Sequence, residues 1–190
     1  MKPNRILGVT GRISSGKTSA TRFIGGRGYE VVDADAVYHE LLQTADGLRS
    51  ELKEAFGTFD TRVLSRLLFG GAIQVGMLNE ITHKYVIAEI KDRLAQHPEK
   101  HFVLDVPIPV REGFLDLCDR VLVMDCTYGK QLERLMKIKG IGEEEARKRI
   151  DIQMSREEYM ACGDVIVHTS NMTLHDMEQA LAHLFSFSFL

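Results

Sequence analysis

Eight residues near the start of the chain constrain its fold more than any others. Residues 11–18 read GRISSGKT, which is a complete G-x-x-x-x-G-K-[S/T] phosphate-binding pattern. The apolar run at residues 6–10 precedes this pattern, and residues 19–24 have the composition of a helix. Because a strand, this loop and a helix follow one another, the pattern indicates a nucleotide-binding loop rather than a chance match.

Each residue type in the loop has an expected role. Glycines let backbone N–H groups turn towards an anion, and the start of the next helix adds unpaired donors and a positive dipole end. We expect Lys17 to reach the outer phosphates and the Thr18 hydroxyl to bind Mg²⁺. The predicted nucleotide-binding residues are Gly11, Ile13, Ser14, Ser15, Gly16, Lys17, Thr18 and Ser19.

Composition narrows the class of protein. The 190 residues are enough for one substantial core, and the net charge of −3 does not favour a broad nucleic-acid-binding face. Three cysteines without a C-x-x-C pair indicate a reducing compartment, and seven scattered histidines do not indicate a zinc site. Without a recognisable signal peptide or membrane-spanning run, we expect a cytoplasmic protein. The apolar tail at residues 184–190 is expected to pack on the domain or on a neighbouring subunit.

Short β-branched runs alternate with helical patterns along the chain. Nearly continuous apolar strands separated by helices are typical of a parallel sheet that is covered on both faces. Pro107 and Pro109 would end the third strand. The sequence therefore predicts an α/β fold with three layers and one five-stranded parallel sheet, in a single domain spanning residues 1–190. The predicted strands are residues 6–10, 30–33, 101–106, 120–125 and 164–168.

Two helical segments interrupt this alternation. About seventy residues separate the second strand from the third, which is more than a crossover helix needs. Helical patterns at residues 36–43, 47–56, 62–69 and 73–96 predict that residues 36–97 form a helical, substrate-binding insertion. Residues 127–161 are also helical and strongly charged; such helices are usually solvated faces, but in phosphate-transfer enzymes they can form a mobile lid. We interpret residues 127–161 as a lid with its following helices.

An acidic pair follows the second strand. Asp33 and Asp35 come at the carboxyl end of this strand, where open α/β sheets bind their ligands. A carboxylate beside a Mg-nucleotide can accept the proton of an attacking hydroxyl, and we favour this role for Asp33. Asp35 fits two interpretations equally, a substrate contact or a cap for the helix that begins near residue 36.

The ordered motifs of the chain resemble those of the dephospho-CoA kinases, which act in the last step of coenzyme A synthesis. The more specific pieces are Asp-Ala-Asp at residues 33–35, Ile-Thr-His at 81–83, Val106-Pro107, the Gln131-x-x-Arg134 spacing and the distant Gln153. The resemblance covers most of the chain, in pieces at residues 9–18, 32–35, 56–57, 64–69, 78–83, 106–107, 131–135, 149–153 and 164–166.

The resemblance implies a fold of the P-loop kinase type and ATP-dependent phosphorylation of the ribose 3′-hydroxyl of dephospho-coenzyme A, with Mg²⁺. It implies that Asp33 is the general base and that Lys17 and Arg134 stabilise charge on the transferring phosphoryl group. It places His83 and Pro107, with Asp33 and Asp35, at the bound substrate. Without the resemblance, His83 would be interpreted as an ordinary helix-surface or core histidine.

Several residues near the expected site depart from the family pattern. Arg12 and Ser14 replace glycines that are usual in the loop, and Arg12 could add a cation over the nucleotide or crowd the acceptor. The stretch after Pro107 differs at Pro109 and Arg111. Further departures are Ile138 in place of a second lid arginine, Tyr159 in place of a lysine and Thr169 in place of an asparagine. Loss of an arginine could not be neutral unless Lys137 or Lys139 replaced its charge.

These departures leave two alternatives to a dephospho-CoA kinase. One is a kinase for another small hydroxyl compound, such as a nucleoside, nucleotide or sugar. The other is a nucleotide- or coenzyme-A-binding relative with weak or no turnover. The set of expected core residues is intact and favours an active kinase: Gly11, Gly16, Lys17, Thr18, Asp33 and Arg134. The sequence does not decide between a monomer and a homo-oligomer.

Overall fold

The structure, a computed structural model, describes residues 5–108, 110 and 112–186. The predictions for Pro109, Arg111 and the last four residues of the apolar tail therefore lie outside the described residues. In chain order the elements are β1 (Ile6–Thr10), α1 (Lys17–Gly25), β2 (Tyr29–Asp33), α2 (Ala34–Thr44), α3 (Asp46–Phe56), α4 (Thr61–Phe69), α5 (Val75–Gln96), β3 (His101–Asp105), β4 (Arg120–Asp125), α6 (Tyr128–Lys139), α7 (Glu143–Asp151), α8 (Arg156–Ala161), β5 (Val165–His168) and α9 (Leu174–Ser186).

The five strands form one parallel sheet in the order β2-β3-β1-β4-β5. This result confirms the predicted α/β class and strand number, with boundaries that differ from the prediction by at most one residue. Because all five strands run the same way, their carboxyl ends lie at one edge of the sheet. The register places Asp105, the last residue of β3, opposite Val9 of β1 and Asp33 of β2.

The main core lies between the central strands and the helices α1 and α9. Its strand residues are almost fully buried on β1, β3 and β4, as expected for the interior of a parallel sheet. On α9, Met177 and Leu181 are four residues apart and so share the helix face that packs on this cluster. Leu184 and Phe185, the part of the apolar tail that is described, also pack against it.

Residues 34–97 form a separate compact unit made of α2 to α5. Leu48, Leu52 and Leu64 make its core, and Asp60 caps α4 by accepting hydrogen bonds from the N–H groups of residues 62 and 63. The unit begins two residues before the predicted insertion at residue 36. Its four helices correspond to the four helical patterns in the sequence.

The other unit, residues 5–33 and 98–186 of the described chain, contains the sheet and the helices α6 to α8. Gly140 ends α6 in the left-handed conformation, with a φ of +63°. The apolar faces of α6 and α7 meet around Leu135, Ala146 and Ile150, and Ile13 packs against this cluster. The charged residues of α7 pair along its exposed face at i, i+4 spacing. Within the described ranges, no helix combines the length and the apolar character needed to cross a bilayer.

Candidate active site

The glycine loop joins β1 to α1 in a conformation that requires glycine at two positions. Gly11 has a φ of +151°, and a Cβ there would collide with the carbonyl oxygen of Met124 and lie 2.6 Å from Ser15 Oγ. Gly16 precedes α1 with a φ of +103°, so it too is in the region that L side chains disfavour. Ser14 adopts a φ of +61° without being a glycine. The loop therefore keeps the backbone shape that the sequence pattern predicts, although Arg12 and Ser14 replace usual glycines.

Lys17, Asp105 and Asp33 come together at the carboxyl edge of the sheet. The Lys17 ammonium group forms an ion pair with Asp105, whose side chain is only 6% exposed, while that of Lys17 is 19% exposed. Asp33 is the register partner of Asp105 on the neighbouring strand, and it is exposed. An accessible carboxylate thus lies one strand away from a buried carboxylate–lysine pair. The sequence analysis missed Asp105, although an aspartate at the carboxyl end of a strand is the same signal that identified Asp33.

Arg134 extends from α6 towards the loop. Its guanidinium donates hydrogen bonds to Thr169 Oγ1 at 3.0 Å, to the Thr169 carbonyl at 2.7 Å and to the Ser14 carbonyl at 3.4 Å. The buried Thr169 hydroxyl in turn lies 2.7 Å from the Ser15 carbonyl oxygen. The structure therefore brings Arg134 to the phosphate loop, and Thr169, considered above only as a departure, holds it there.

The peptide groups of Ile13 are bound by two glutamines. The Ile13 N–H donates to Gln153 Oε1 at 2.9 Å, and Gln131 Nε2 donates to the Ile13 carbonyl at 3.0 Å. The N–H group that was expected to face the nucleotide at Ile13 is thus bound to a side chain. Ile13 therefore faces the segment of α6 and α7 with its N–H, its carbonyl and its side chain, and its role in nucleotide binding remains a prediction.

Arg12 links the loop to the same helices. Its guanidinium donates to Gln131 Oε1 at 3.3 Å and to the Ile150 carbonyl at 2.9 Å. The two roles considered for Arg12 from the sequence were a cation over the nucleotide and an obstruction of the acceptor. The structure gives this side chain a third role, a connection between the loop and the end of α7.

Two further departures from the family pattern, Tyr159 and Ile138, differ in their burial. Tyr159 is buried against β4, and its hydroxyl donates to the Pro107 carbonyl at 2.7 Å. Burial raises the pKa of Tyr159 to about 12, so its hydroxyl remains protonated and can donate. Ile138 is 67% exposed on α6, between the exposed Lys137 and Lys139. Tyr159 therefore supports the chain at Pro107, which is itself a predicted substrate contact.

A second buried carboxylate ends β4. Asp125 accepts hydrogen bonds from Arg156 Nε at 2.7 Å and from Arg156 Nη2 at 2.5 Å, and its Oδ2 lies 2.6 Å from His168 Nδ1. Burial opposes the ionisation of Asp125, but the hydrogen bonds and charges of Arg156 and His168 outweigh it, so the pKa of Asp125 is lowered. This carboxylate anchors the start of α8 to the sheet, and its pattern was not identified from the sequence.

Two predicted substrate contacts belong to the compact unit of residues 34–97, here called the helical unit. Asp35 is exposed in the first turn of α2, and His83 is half-buried on α5. Burial lowers the pKa of His83, so this imidazole is neutral at pH 7. The grouping of Asp35 and His83 with Asp33 around one substrate remains a prediction.

Buried polar atoms without a partner lie at the loop. Within the part of the chain that the structure describes, Thr10 Oγ1, Arg12 Nε and Ser15 Oγ are buried without a hydrogen-bond partner. All three belong to the loop or to the residue before it. Because such atoms are costly to leave unpaired, their clustering fits a loop that receives a polar ligand. Among all the residues that the structure describes, no group of three or more acidic, histidine or cysteine side chains lies close enough together to hold a metal ion.

Comparisons with known proteins agree with this geometry. The family model for dephospho-CoA kinase (CoaE) matches residues 5–175. A dephospho-CoA kinase of Lactobacillus johnsonii is 32% identical over 189 residues, which cover 94% of this chain and 95% of that protein. The crystal structure of TT1252 from Thermus thermophilus is 26% identical with a TM-score of 0.78, and it covers 97% of this chain and 98% of its own.

A more distant solved structure has the same fold. Dephospho-CoA kinase from Campylobacter jejuni is 22% identical with a TM-score of 0.64, and 95% of each chain is covered. The family model spans the phosphate loop, the helical unit, the helices α6 to α8 and the sheet. The chain therefore belongs to the dephospho-CoA kinase family.

Proposed function

We propose that this protein transfers the γ-phosphoryl group of ATP to the ribose 3′-hydroxyl of dephospho-coenzyme A, giving coenzyme A and ADP. The observation that carries the proposal is the meeting of a phosphate loop with Lys17, Asp105 and Asp33 at one sheet edge, in a chain of this family. The free cysteines Cys118, Cys126 and Cys162 are compatible with the reducing cytoplasm in which we place the reaction.

The phosphate loop binds the triphosphate in this proposal. Backbone N–H groups of the loop after Ile13 and at the start of α1 contact the phosphates. The Lys17 ammonium group reaches the outer phosphates, either by breaking its ion pair with Asp105 or by binding both partners. Arg134, fixed by Thr169, supplies the second cation near the transferring group. Positioned positive charge is the main source of rate in phosphoryl transfer, so these two cations are the principal stabilising groups.

Asp33 accepts the proton of the attacking hydroxyl in this proposal. Its exposure makes it accessible to an acceptor, whereas Asp105 is buried and paired with Lys17. The two neighbouring carboxylates therefore have separate roles, Asp33 as the base and Asp105 as the group that positions Lys17. His83, Asp35 and Pro107 are the proposed acceptor contacts, residues 34–97 the proposed acceptor unit, and residues 127–161 the proposed lid.

A magnesium ion fits the residues present. Thr18 is an exposed residue at the start of α1, and Asp105, the ion-pair partner of Lys17, adds a carboxylate beside the same loop. Mg²⁺ commonly keeps waters and binds through one or two protein oxygens plus the substrate phosphates, so a larger ligand cluster is not required. When bound, the ion would neutralise the phosphate charge that develops during transfer.

The proposal is tested by ADP release from MgATP with purified protein and a panel of acceptors. The panel contains dephospho-coenzyme A, adenosine, AMP, a hexose and shikimate. We expect release above the acceptor-free rate with dephospho-coenzyme A alone. Release with another acceptor instead would identify a kinase of different specificity, and MgATP binding without release would identify a non-catalytic relative.

A further inference from the structure

Two glutamines of the proposed lid, Gln131 and Gln153, belong to the family motifs but have no part in the proposed phosphoryl transfer. Both act on one residue of the phosphate loop, Ile13, from two places along the segment that contains α6 and α7. Gln131 lies on α6 and is 1% exposed, whereas Gln153 follows α7 and is half-buried. The Ile13 side chain packs on the apolar cluster shared by α6 and α7. The N–H, the carbonyl and the side chain of Ile13 are therefore all held by the segment of residues 128–153.

The chemistry of the two contacts is opposite. The Ile13 N–H needs an acceptor, which Gln153 supplies with Oε1, and the Ile13 carbonyl needs a donor, which Gln131 supplies with Nε2. An amide side chain has both a donor and an acceptor, but each glutamine uses only one of them on Ile13. The Gln131 oxygen accepts from Arg12, so this amide is bound at both ends.

We propose that Gln131 and Gln153 are positioning residues, here called the loop clamp, that set the phosphate loop for MgATP and couple it to the lid segment. This inference rests on the proposed function, since it assumes that MgATP is the loop's ligand. The clamp turns the Ile13 peptide away from the anion, so the phosphate contacts come from later N–H groups of the loop. Arg12, which replaces a usual glycine, reinforces the clamp through Gln131 and the Ile150 carbonyl.

Preorganisation explains why such contacts affect a ligand that they do not touch. A loop that is already held in its binding conformation does not lose further conformational freedom when the phosphates arrive. If a clamp bond is missing, the loop populates other conformations that do not bind the phosphates. The apparent Kd for MgATP is then the intrinsic Kd divided by the fraction of molecules whose loop is in the binding conformation. The clamp therefore acts on nucleotide binding and not on the acceptor.

The experiment is a titration of the full-length protein with MgATP, with steady-state kinetics on the same variants. Gln153→Met keeps the length of the side chain but removes its acceptor, and we expect the Kd for MgATP to rise about fivefold or more. Gln153→Glu keeps an acceptor for the Ile13 N–H and should bind within about twofold of wild type. Gln131→Met and Gln131→Glu both remove the donor to the carbonyl, so both should weaken binding.

Glutamate should preserve MgATP binding at position 153, where an acceptor is needed, and weaken it at position 131, where a donor is needed. A general structural role of the two glutamines predicts no such difference. In every weakened variant we expect the KM for ATP to rise and the KM for dephospho-coenzyme A to remain unchanged. Gln179→Met, on the exposed face of α9, is the matched control and should bind as wild type does. Melting curves without nucleotide check folding, and if the buried Gln131 variants fail to fold, the half-buried Gln153 pair decides the result.

Two results would overturn the clamp while leaving the proposed function intact. In one, wild type and Gln153→Met bind MgATP equally well; in the other, Gln153→Glu loses as much affinity as Gln153→Met. Absence of MgATP binding by folded wild-type protein would instead reject the proposed function, and the clamp with it.

Discussion

The sheet unit, which is the unit of residues 5–33 and 98–186 that contains the sheet, and the helical unit hold their polar side chains in different ways. In the sheet unit, Lys17 and Arg134 have buried or half-buried partners that belong to strand ends and to the loop. In the helical unit, the ion pairs of Lys84 with Glu51 and of Arg93 with Glu40 lie on exposed helix faces. Exposed pairs contribute little to stability and leave side chains adjustable. From this comparison we infer that the proposed phosphoryl-transfer cations are fixed by buried partners, while the unit proposed to bind the acceptor has a more adjustable surface.

The largest expected effect concerns Arg134 in the sheet unit. Arg134→Ala should lower kcat by about 10³-fold or more, because a positioned arginine stabilises the transition state of phosphoryl transfer. Arg134→Lys should recover only part of this loss, since lysine lacks the planar fork that binds Thr169. Steady-state ADP release measures the effect.

Lys137→Ala is the matched comparison because it removes an exposed charge from the same helix. We expect it to cost far less than Arg134→Ala. Equal losses would show that the exposed lysines beside Ile138 supply the charge as much as Arg134 does, and fixation of Arg134 by Thr169 would then not account for the rate.

The next effect concerns the proposed base. Asp33→Asn should lower kcat by about 10²–10⁴-fold, the usual contribution of a general base, while the Kd for MgATP stays the same. Asp35→Asn, two residues further on in α2, should have a much smaller effect if Asp35 mainly serves the helix start. Wild-type turnover by Asp33→Asn would remove this residue from the mechanism.

A third prediction concerns the stability of the sheet unit. Arg156→Met removes the bidentate partner of the buried Asp125 and should destabilise the protein by about 2 kcal/mol, less than a fully buried pair because Arg156 is partly exposed. Urea denaturation at pH 7 measures this loss. Lys148→Met, which breaks an exposed pair on α7, is the control and should leave the midpoint nearly unchanged.

The same pair has a defined pH dependence. The folded pKa of Asp125 is lowered, so its contribution is complete above the unfolded pKa of about 3.9 and is lost as the pH falls through the folded value. The stability difference between wild type and Asp125→Asn should therefore shrink as the pH is lowered below about 4. A difference that grows on acidification would contradict the assigned charge state.

The smallest effect is expected in the helical unit. His83→Gln should raise the KM for dephospho-coenzyme A about fivefold, the size of one lost hydrogen bond, without changing the KM for ATP. Because burial lowers the pKa of His83, this imidazole is neutral at pH 7 and its loss should not depend on pH between 7 and 8. A change in the KM for ATP would assign His83 to the nucleotide rather than to the acceptor.

The sequence predicted the parts of the site that depend on short local patterns. The phosphate loop has a fixed spacing, and Asp33 ends a strand, so both could be selected as candidates without knowing what lies beside them. Asp105 ends its strand in the same way, and its position next to Lys17 could have been expected once the sheet was predicted. The helix α9 is absent from the sequence prediction, although Met177 and Leu181 have helical spacing.

Other parts depend on contacts between residues far apart in the chain. The bonds from Gln131 and Gln153 to Ile13, and from Arg134 to Thr169, each join segments separated by more than thirty residues. No local pattern encodes such a pairing, because any polar residue at the right place on the fold could serve. For the same reason Thr169 and Tyr159 could only be recognised as departures, while the structure gives them definite partners.

The most direct measurement is the identity of the product. Wild-type protein is incubated with MgATP and dephospho-coenzyme A, and phosphorus NMR with mass spectrometry follows the acceptor. We predict one added phosphate, present as a monoester on the ribose 3′-oxygen, with an equal amount of ADP. An unmodified acceptor in the presence of folded protein that binds MgATP, or a phosphate at any other position, would contradict the account.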